Sequence, residues 1–350
     1  MLSALLSSCL PSSPSFAMDS LSTSHVDLLV LGAGWTGSFL LPHLRAQHPD
    51  ITFAATTRDG RDGTVKWAWD GEQEGPEQYK ALPRAKTVLV VFPIKGQGGS
   101  KRLVEGYEGA VGQRVRWIQL GSTGIWDGGP TLVASSLSSP GEQAPEFRWT
   151  DRHSAYDTTN ARAIAEDELL SQHEDTFVLN LAGLWGGSRD PRNWLARIAP
   201  TFEALEAKGS LHLIHGEDLA RAIVAVHLSP SRCSAKGHEN VDSSEKQRRG
   251  ERYLLTDLHV YDWWDLSLLF SSPSSIAASQ PAPSPSPSAT PAPGKGGEHT
   301  PPRSLWVQQL LHKHSVRALP RTPSELGRAM DSREFWERFG LVPGRALVGK

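Results

Sequence analysis

The sequence predicts an α/β fold, a doubly wound parallel sheet followed by a smaller C-terminal substrate lobe. Three observations carry this expectation. Short apolar runs of the kind buried on both faces of a parallel sheet alternate with helical patterns through about Leu228. The first of these runs ends in a G-x-G-x-x-G turn that opens a helix. Beyond Leu228 such runs thin out, and amphipathic segments at Val260–Phe270, Ser304–His314 and Ser332–Phe339 take over, with one strand-like run at Tyr253–Leu255.

The opening strand is the run from His25 to Leu31, and the turn is Gly32-Ala33-Gly34-Trp35-Thr36-Gly37. Gly32 permits a tight exit from the strand, Gly34 lets a diphosphate approach the backbone, and Gly37 lets the helix pack closely. The free N–H groups and positive end of the helix, with Trp35 and Thr36 inside the turn, would receive the phosphates. The alternative is a glycine turn needed only for packing. The second strand, Ile51 to Thr57, is followed by Arg58 where a site for NAD has Asp or Glu on the ribose 2′-hydroxyl. A guanidinium suits a 2′-phosphate, and Thr56 or Thr57 would add a hydroxyl, so the expected cofactor is NADP rather than NAD. Otherwise Arg58 is an ordinary solvated residue. The third strand, Lys86 to Phe92, places Phe92 and Pro93 beside the cofactor, because ligands of open α/β sheets bind beyond the carboxyl ends of the strands. The fourth, Val115 to Leu120, runs into Gly121-Ser122-Thr123-Gly124-Ile125-Trp126.

At this point four segments together resemble the extended short-chain dehydrogenase/reductase superfamily, in its NAD-dependent epimerase/dehydratase branch, as an atypical member with the Rossmann fold. They are the glycine turn; Leu120 to Trp126, similar to the family's Ser-Ser-x-x-Val-Tyr loop; Val178 to Arg189, similar to its Leu-Arg-x-x-x-Val-Tyr-Gly-Pro strand and loop; and Leu213 to Ala220, similar to its Ile-His-Val-x-Asp-Leu-Ala element. The resemblance implies a catalytic role for Ser122 and substrate contacts for Thr123, Trp126, Trp185, Arg189 and His215. Each has a plainer reading. Tryptophans fill cores, Arg189 is a loop cation, and His215 with Asp218 marks a helix start. The departure from the family lies in its Tyr-x-x-x-Lys pair. Counted from Tyr156 the lysine position holds Asn160; counted back from Ala165-Glu166 it holds Arg162, with Thr158 in the tyrosine's place. The functional reading makes Tyr156 the proton donor, Ser122 the group that orients the substrate oxygen, and Arg162 the replacement for the lysine's charge. The other reading leaves Tyr156 as a loop aromatic. Glu166, Asp167 and Glu168 are read as a solvated helix face.

Composition narrows the remaining classes. A net charge of -2 offers no electrostatic footprint for nucleic acid or anionic lipid. Two cysteines exclude a disulfide scaffold. No H-x-x-x-H or comparable spacing points to a metal, and no run reaches the ~18–20 apolar residues of a membrane span. Residues 1–24 read as a disordered extension, an upstream start before Met18 being one account; they lack the arginines of a transit peptide, so a cytoplasmic location is expected. The expected units are a dinucleotide-binding domain at 25–228 and a lobe at 229–350, which carries a disordered Pro/Ser-rich insertion at 271–303. The expected function is an NADP-dependent oxidoreductase or epimerase-like enzyme acting on a hydroxylated or carbonyl small molecule, sugar-like by the resemblance, which also makes a homodimer plausible. The alternative is an NADP-binding sensor or scaffold without turnover.

Overall fold

The computed structural model describes residues 25–127, 147–172, 174–231, 249–271 and 303–347. The expectations for 1–24 and for most of the 271–303 insertion lie outside the described residues. A seven-stranded sheet forms the centre. Its strands are β1 (His25–Leu31), β2 (Phe53–Thr57), β3 (Val65–Lys66), β4 (Arg84–Val90), β5 (Arg116–Ser122), β6 (Thr176–Leu181) and, after three short strands, β10 (Glu251–Leu255). Their order across the sheet is β10-β6-β5-β4-β1-β2-β3, and every pairing is parallel. The chain leaves β1 toward β2 and β3 on one side and returns to β4 on the other. The β1–β4 border is therefore the topological switch point, where a crevice opens at the carboxyl ends of the strands.

The unbroken apolar strands follow from two covered faces. Along β1, Leu28 and Val30 join one core with Leu40 and Leu44 of α1 (Gly34–Gln47) and Leu219 and Ile223 of α6 (Gly216–Leu228). Leu29 and Leu31 point the other way, to Leu103 and Tyr107 of α2 (Gly99–Val111) and Leu169 of α3 (Ala161–Gln172). Alternate residues thus serve opposite layers, each at close to full burial. Arg116 ties the amino end of the sheet to α6. Its guanidinium donates to Asp175 Oδ1 (3.1 Å) and to the carbonyls of Val226, His227, Ser229 and Pro230, satisfying acceptors that the helix end leaves open.

The expected boundary at Leu228 does not separate the two packing units. β10 comes from beyond it and pairs with β6, Leu254 opposite Asn180. Phe335 and Trp336, in α9 (Arg333–Arg338), pack into the sheet's own core. Conversely, the lobe's core begins before Leu228. Trp185 of β7 (Gly183–Trp185), Leu195 of α4 (Leu195–Ile198), Leu205 of α5 (Phe202–Glu206) and Leu213 of β9 (Leu213–His215) pack with Trp263, Trp264 and Leu266 of α7 (Trp263–Phe270) and Trp306 and Leu310 of α8 (Arg303–Lys313). Local patterning marks where elements start and stop, but burial assigns them to a unit. Two short pairs complete the lobe: β8 (Ser210–Leu211) with β11 (Tyr261–Asp262), and β7 with β9. No helix among the described residues is long and apolar enough to cross a membrane.

His212, between β8 and β9, is 6% exposed, and its Nε2 accepts the Met330 N–H at 3.0 Å. Burial, reinforced by the nearby Arg328 charge, pushes its pKa down to about 3. A depressed pKa stabilises the fold above the unfolded value near 6.5, and that stability is lost as pH falls toward 3. Asp257 runs the other way: burial raises it to about 6, so its contribution grows as pH falls below 6. We expect the urea midpoint of the native chain to drop more steeply between pH 7 and 4 than that of His212→Gln, which leaves Asp257 in place. Parallel curves would remove His212 from the pH response.

Candidate dinucleotide-binding and reaction site

The glycine turn is held from below by one residue. Thr56 of β2 accepts the Gly32 N–H on its hydroxyl (2.9 Å) and the Ala33 N–H on its carbonyl (2.9 Å). Gly32 and Gly34 have φ of +77° and +44°, a region that an L side chain seldom enters. A Cβ on Gly34 would meet nothing within 4 Å, so the backbone there faces open space. Gly37 is required for a different reason than close approach to the strand, because a Cβ there would lie 2.6 Å from the Ala33 Cβ in its own turn. The N–H groups of Gly34, Trp35 and Thr36 belong to the first helical turn, which has no intrahelical acceptors for them. These residues fit a diphosphate, since bare backbone donors lie at the positive end of a 14-residue helix with room in front of them.

Two clefts flank this turn, and Pro93, just past β4, lines both. The larger, about 650 Å³, lies on the β2–β3 side, with Gly32, Gly34, Thr57, Arg58, Arg61 and Phe92 among its walls. Trp67 and Trp69 also line it; Trp69 stacks on Phe92 with centroids 5.4 Å apart. The sequence reading missed both, although two tryptophans one residue apart after the second strand are a visible signal. Arg58 is exposed and has no hydrogen-bond or ion-pair partner among the described residues, whereas Arg61 pairs with Asp59 at 3.1 Å. Thr57 is spoken for, its hydroxyl bonded to Thr64 Oγ1 (2.6 Å) and accepting the Gly60 N–H (3.0 Å).

The second cleft, about 250 Å³, lies over β4, β5 and β6 and is lined by Trp35, Thr36, Ser122, Arg162, Leu184 and Arg189 among others. Trp35 bridges its two sides. The indole N–H donates to the Gly186 carbonyl (3.0 Å), and the Arg189 guanidinium lies 4.6 Å from the ring centroid. Ser122 caps the short 3₁₀ turn Thr123–Trp126, its Oγ accepting the Gly124 N–H at 3.1 Å while its hydroxyl donates to no acceptor among the described residues. Of the two registers open in the sequence, Arg162 reaches the cleft. Asn160 instead accepts the Arg162 N–H at the start of α3. The Arg162 side chain donates to the Leu120 carbonyl (3.0 Å), and burial lowers its pKa.

Five expected site residues lie elsewhere. Tyr156 does not line the cleft. Its hydroxyl donates to Asp167 Oδ1 (2.7 Å), the Arg252 guanidinium covers its ring, and burial followed by the Asp167 hydrogen bond raises its pKa. A phenol held this way cannot relay a proton at Ser122. Trp126 is buried beside Tyr156 and donates its indole N–H to the Ser154 carbonyl. Trp185 is buried in the lobe core with its ring 4.6 Å from that of His215. His215 caps α6, its Nδ1 accepting the Glu217 N–H (3.2 Å). Thr123 is buried in the 3₁₀ turn. Asp218, in the first turn of α6, receives the N–H groups of Gly344 and Arg345 and so anchors the C-terminal segment.

The solvated-face reading of Glu166 to Glu168 is corrected as well. Glu166 is 2% exposed and receives the Ser122 N–H (3.3 Å), the Asn180 amide (2.7 Å) and Arg252 (3.3 Å). Burial raises its pKa, and Arg252 opposes that rise. Glu168 accepts the Gly98 and Lys101 N–H groups at the start of α2. Gly121 sits directly on the Glu166 network, where an added Cβ would lie 2.5 Å from Asn180 Nδ2 and 2.7 Å from Glu166 Oε1. Both neighbours are buried, and the atoms a Cβ would meet are already hydrogen-bonded. Gly121→Ala should therefore cost about 1–3 kcal/mol in urea denaturation; an unchanged midpoint would show that the network yields freely. Among the described residues no three His, Cys, Asp or Glu side chains are placed to hold a metal ion.

No family model matches the chain, and no curated protein matches it in sequence. Solved structures do match in shape. A functionally unknown conserved protein from Silicibacter pomeroyi DSS has a TM-score of 0.50 at 17% identity, over 90% of this chain and 93% of that one. Vestitone reductase from alfalfa (Medicago sativa L.) gives 0.49 at 14% identity, over 92% and 94%. UDP-N-acetylglucosamine 4-epimerase from Bacillus cereus gives 0.45 at 9% identity, over 92% of each chain. At such identities the likeness is one of fold. The seven parallel strands and their switch point make the chain a doubly wound, Rossmann-like fold, and the likeness to the Silicibacter pomeroyi protein is consistent with it.

Proposed function

We propose that the chain is a nicotinamide-dinucleotide-dependent oxidoreductase or epimerase-like enzyme, with a preference for NADP, acting on a hydroxylated or carbonyl small molecule. The observation that carries this reading is the pair of clefts meeting at the bare N–H groups of Gly34 to Thr36, at the switch point of a doubly wound sheet. The β2 side of the switch point is where such folds place the adenosine ribose. Arg58 there supports NADP, because its unpaired guanidinium matches a 2′-phosphate and no unpaired carboxylate stands in its place. The cleft over β5 and β6 then takes the nicotinamide end and the substrate.

When bound, the dinucleotide supplies hydride to a carbonyl carbon or withdraws it from a carbinol carbon. The chain's own residues orient and stabilise. The Ser122 hydroxyl donates to the substrate oxygen, and the Arg162 guanidinium faces the negative charge that grows on that oxygen, a stabilisation strengthened by partial burial. With Tyr156 committed to Asp167, the oxygen exchanges its proton with water. The atypical helix motif supports this division of labour. A cytoplasmic location and a homodimer remain part of the proposal, on the sequence reading alone.

Two outcomes test it. Arg58→Ala should weaken NADPH binding at least tenfold by calorimetry and leave NADH within twofold; equal losses would remove the 2′-phosphate role. In a carbonyl panel followed by NADPH absorbance, Arg162→Gln should lower kcat/KM at least a hundredfold, while Tyr156→Phe stays within a few-fold. Loss of turnover in Tyr156→Phe with folding intact would restore the tyrosine to the chemistry. A native chain that binds NADPH and reduces no carbonyl would point to the sensor alternative.

A further inference from the structure

We propose that the reaction cleft discriminates the redox state of the nicotinamide, holding the neutral reduced ring more tightly than the cationic oxidised ring and so working as a reductase; this rests on the dinucleotide reading above. The argument begins with the charges in the cleft walls. Two guanidinium groups, Arg162 and Arg189, line the space over β5 and β6, and no carboxylate lines it among the described residues. Arg162 spends its one side-chain hydrogen bond among those residues on a neutral carbonyl, that of Leu120. The Arg189 guanidinium is stacked on Trp35 and makes neither a hydrogen bond nor an ion pair among the described residues. Of the nearest acidic groups, Glu166 acts on Arg162 through space and offsets part of its charge, but its hydrogen bonds go to Ser122, Asn180 and Arg252. Glu166 lies behind Gly121 and, with Asp167, shares Arg252, while Asp167 also takes the Tyr156 hydroxyl.

With Glu166 offsetting only part of the Arg162 charge and no carboxylate lining the cleft among the described residues, a net positive charge remains at its walls. Removing water on ligand binding strengthens every charge interaction inside it. Oxidised nicotinamide brings a further positive charge to this space, and reduced nicotinamide brings none. The diphosphate and the 2′-phosphate are identical in the two forms, so their attraction to Arg58, Arg189 or the helix end cancels in the ratio of affinities. What remains is the repulsion between the ring cation and the guanidinium pair. The same pair favours a substrate whose oxygen gains negative charge during reaction, as a carbonyl oxygen does when its carbon is reduced.

The test is calorimetric titration of the full chain with NADPH and, separately, with NADP+. The native chain should bind NADPH at least tenfold more tightly. Arg162→Gln and Arg189→Gln should each shrink that ratio several-fold, chiefly by strengthening NADP+, and Arg162→Lys should retain it. Because Arg162 is half-buried, thermal melts accompany each variant, and the exposed Arg189 keeps the inference testable if Arg162→Gln fails to fold. Equal affinities in the native chain, or a ratio unchanged in both Gln variants, would overturn the inference while leaving dinucleotide binding intact. Silence with both forms would overturn the two readings together.

Discussion

One threonine sets the terms for the rest of the site. By taking the Gly32 and Ala33 N–H groups on its hydroxyl and carbonyl, Thr56 locks the exit from β1 into a left-handed bend. The next three N–H groups then have no acceptor within the helix and face the crevice. A Cβ at residue 34 would stand in open space, with no described atom within 4 Å of it. A doubly wound sheet offers this opening at a single border, between β1 and β4, and both clefts meet there.

The chemistry at the far end depends on a buried polar layer beneath it. Glu166, Asn180 and Arg252 fix the backbone at Gly121 and Ser122 from behind, and Asn180 donates also to the Ser122 carbonyl (3.1 Å). A buried carboxylate is tolerable because each of these partners compensates its desolvation. Arg252 comes from β10, which is why the sheet's edge strand and the reaction cleft are parts of one construction. The same guanidinium holds Asp167, and Asp167 holds Tyr156 away from the cleft. The altered helix motif and the displaced tyrosine are thus two views of one packing arrangement.

Much of this was legible in the sequence, and the rest was not, for definite reasons. The strands β1, β2, β4 and β5 and the glycine turn follow from local periodicity and spacing, and local signals survive folding unchanged; the two-residue β3 carries too little pattern to be read, and β6 was legible only through the family resemblance. Counting back from Ala165-Glu166 pointed to Arg162, while counting from Tyr156 pointed to Asn160, and the tie was broken only by seeing Asn160 cap the helix. Glu166 read as solvated because its neighbours in sequence are acidic; its compensating charge arrives 86 residues later. Tyr253 to Leu255 read as a strand, but which sheet it joins is decided by pairing with β6. Trp126, Trp185 and His215 were candidate pocket residues by position, and each proves to be filling or capping instead.

The central claim is that the bare N–H groups after β1 hold a diphosphate. A crystal structure of the full chain grown with NADPH tests this most directly. The account predicts diphosphate oxygens within hydrogen-bonding distance of the backbone nitrogens of Gly34, Trp35 and Thr36, with the two ends of the dinucleotide in the two clefts. A fully occupied NADPH bound elsewhere, or crystals that exclude it at saturating concentration with this crevice open to solvent, would contradict it.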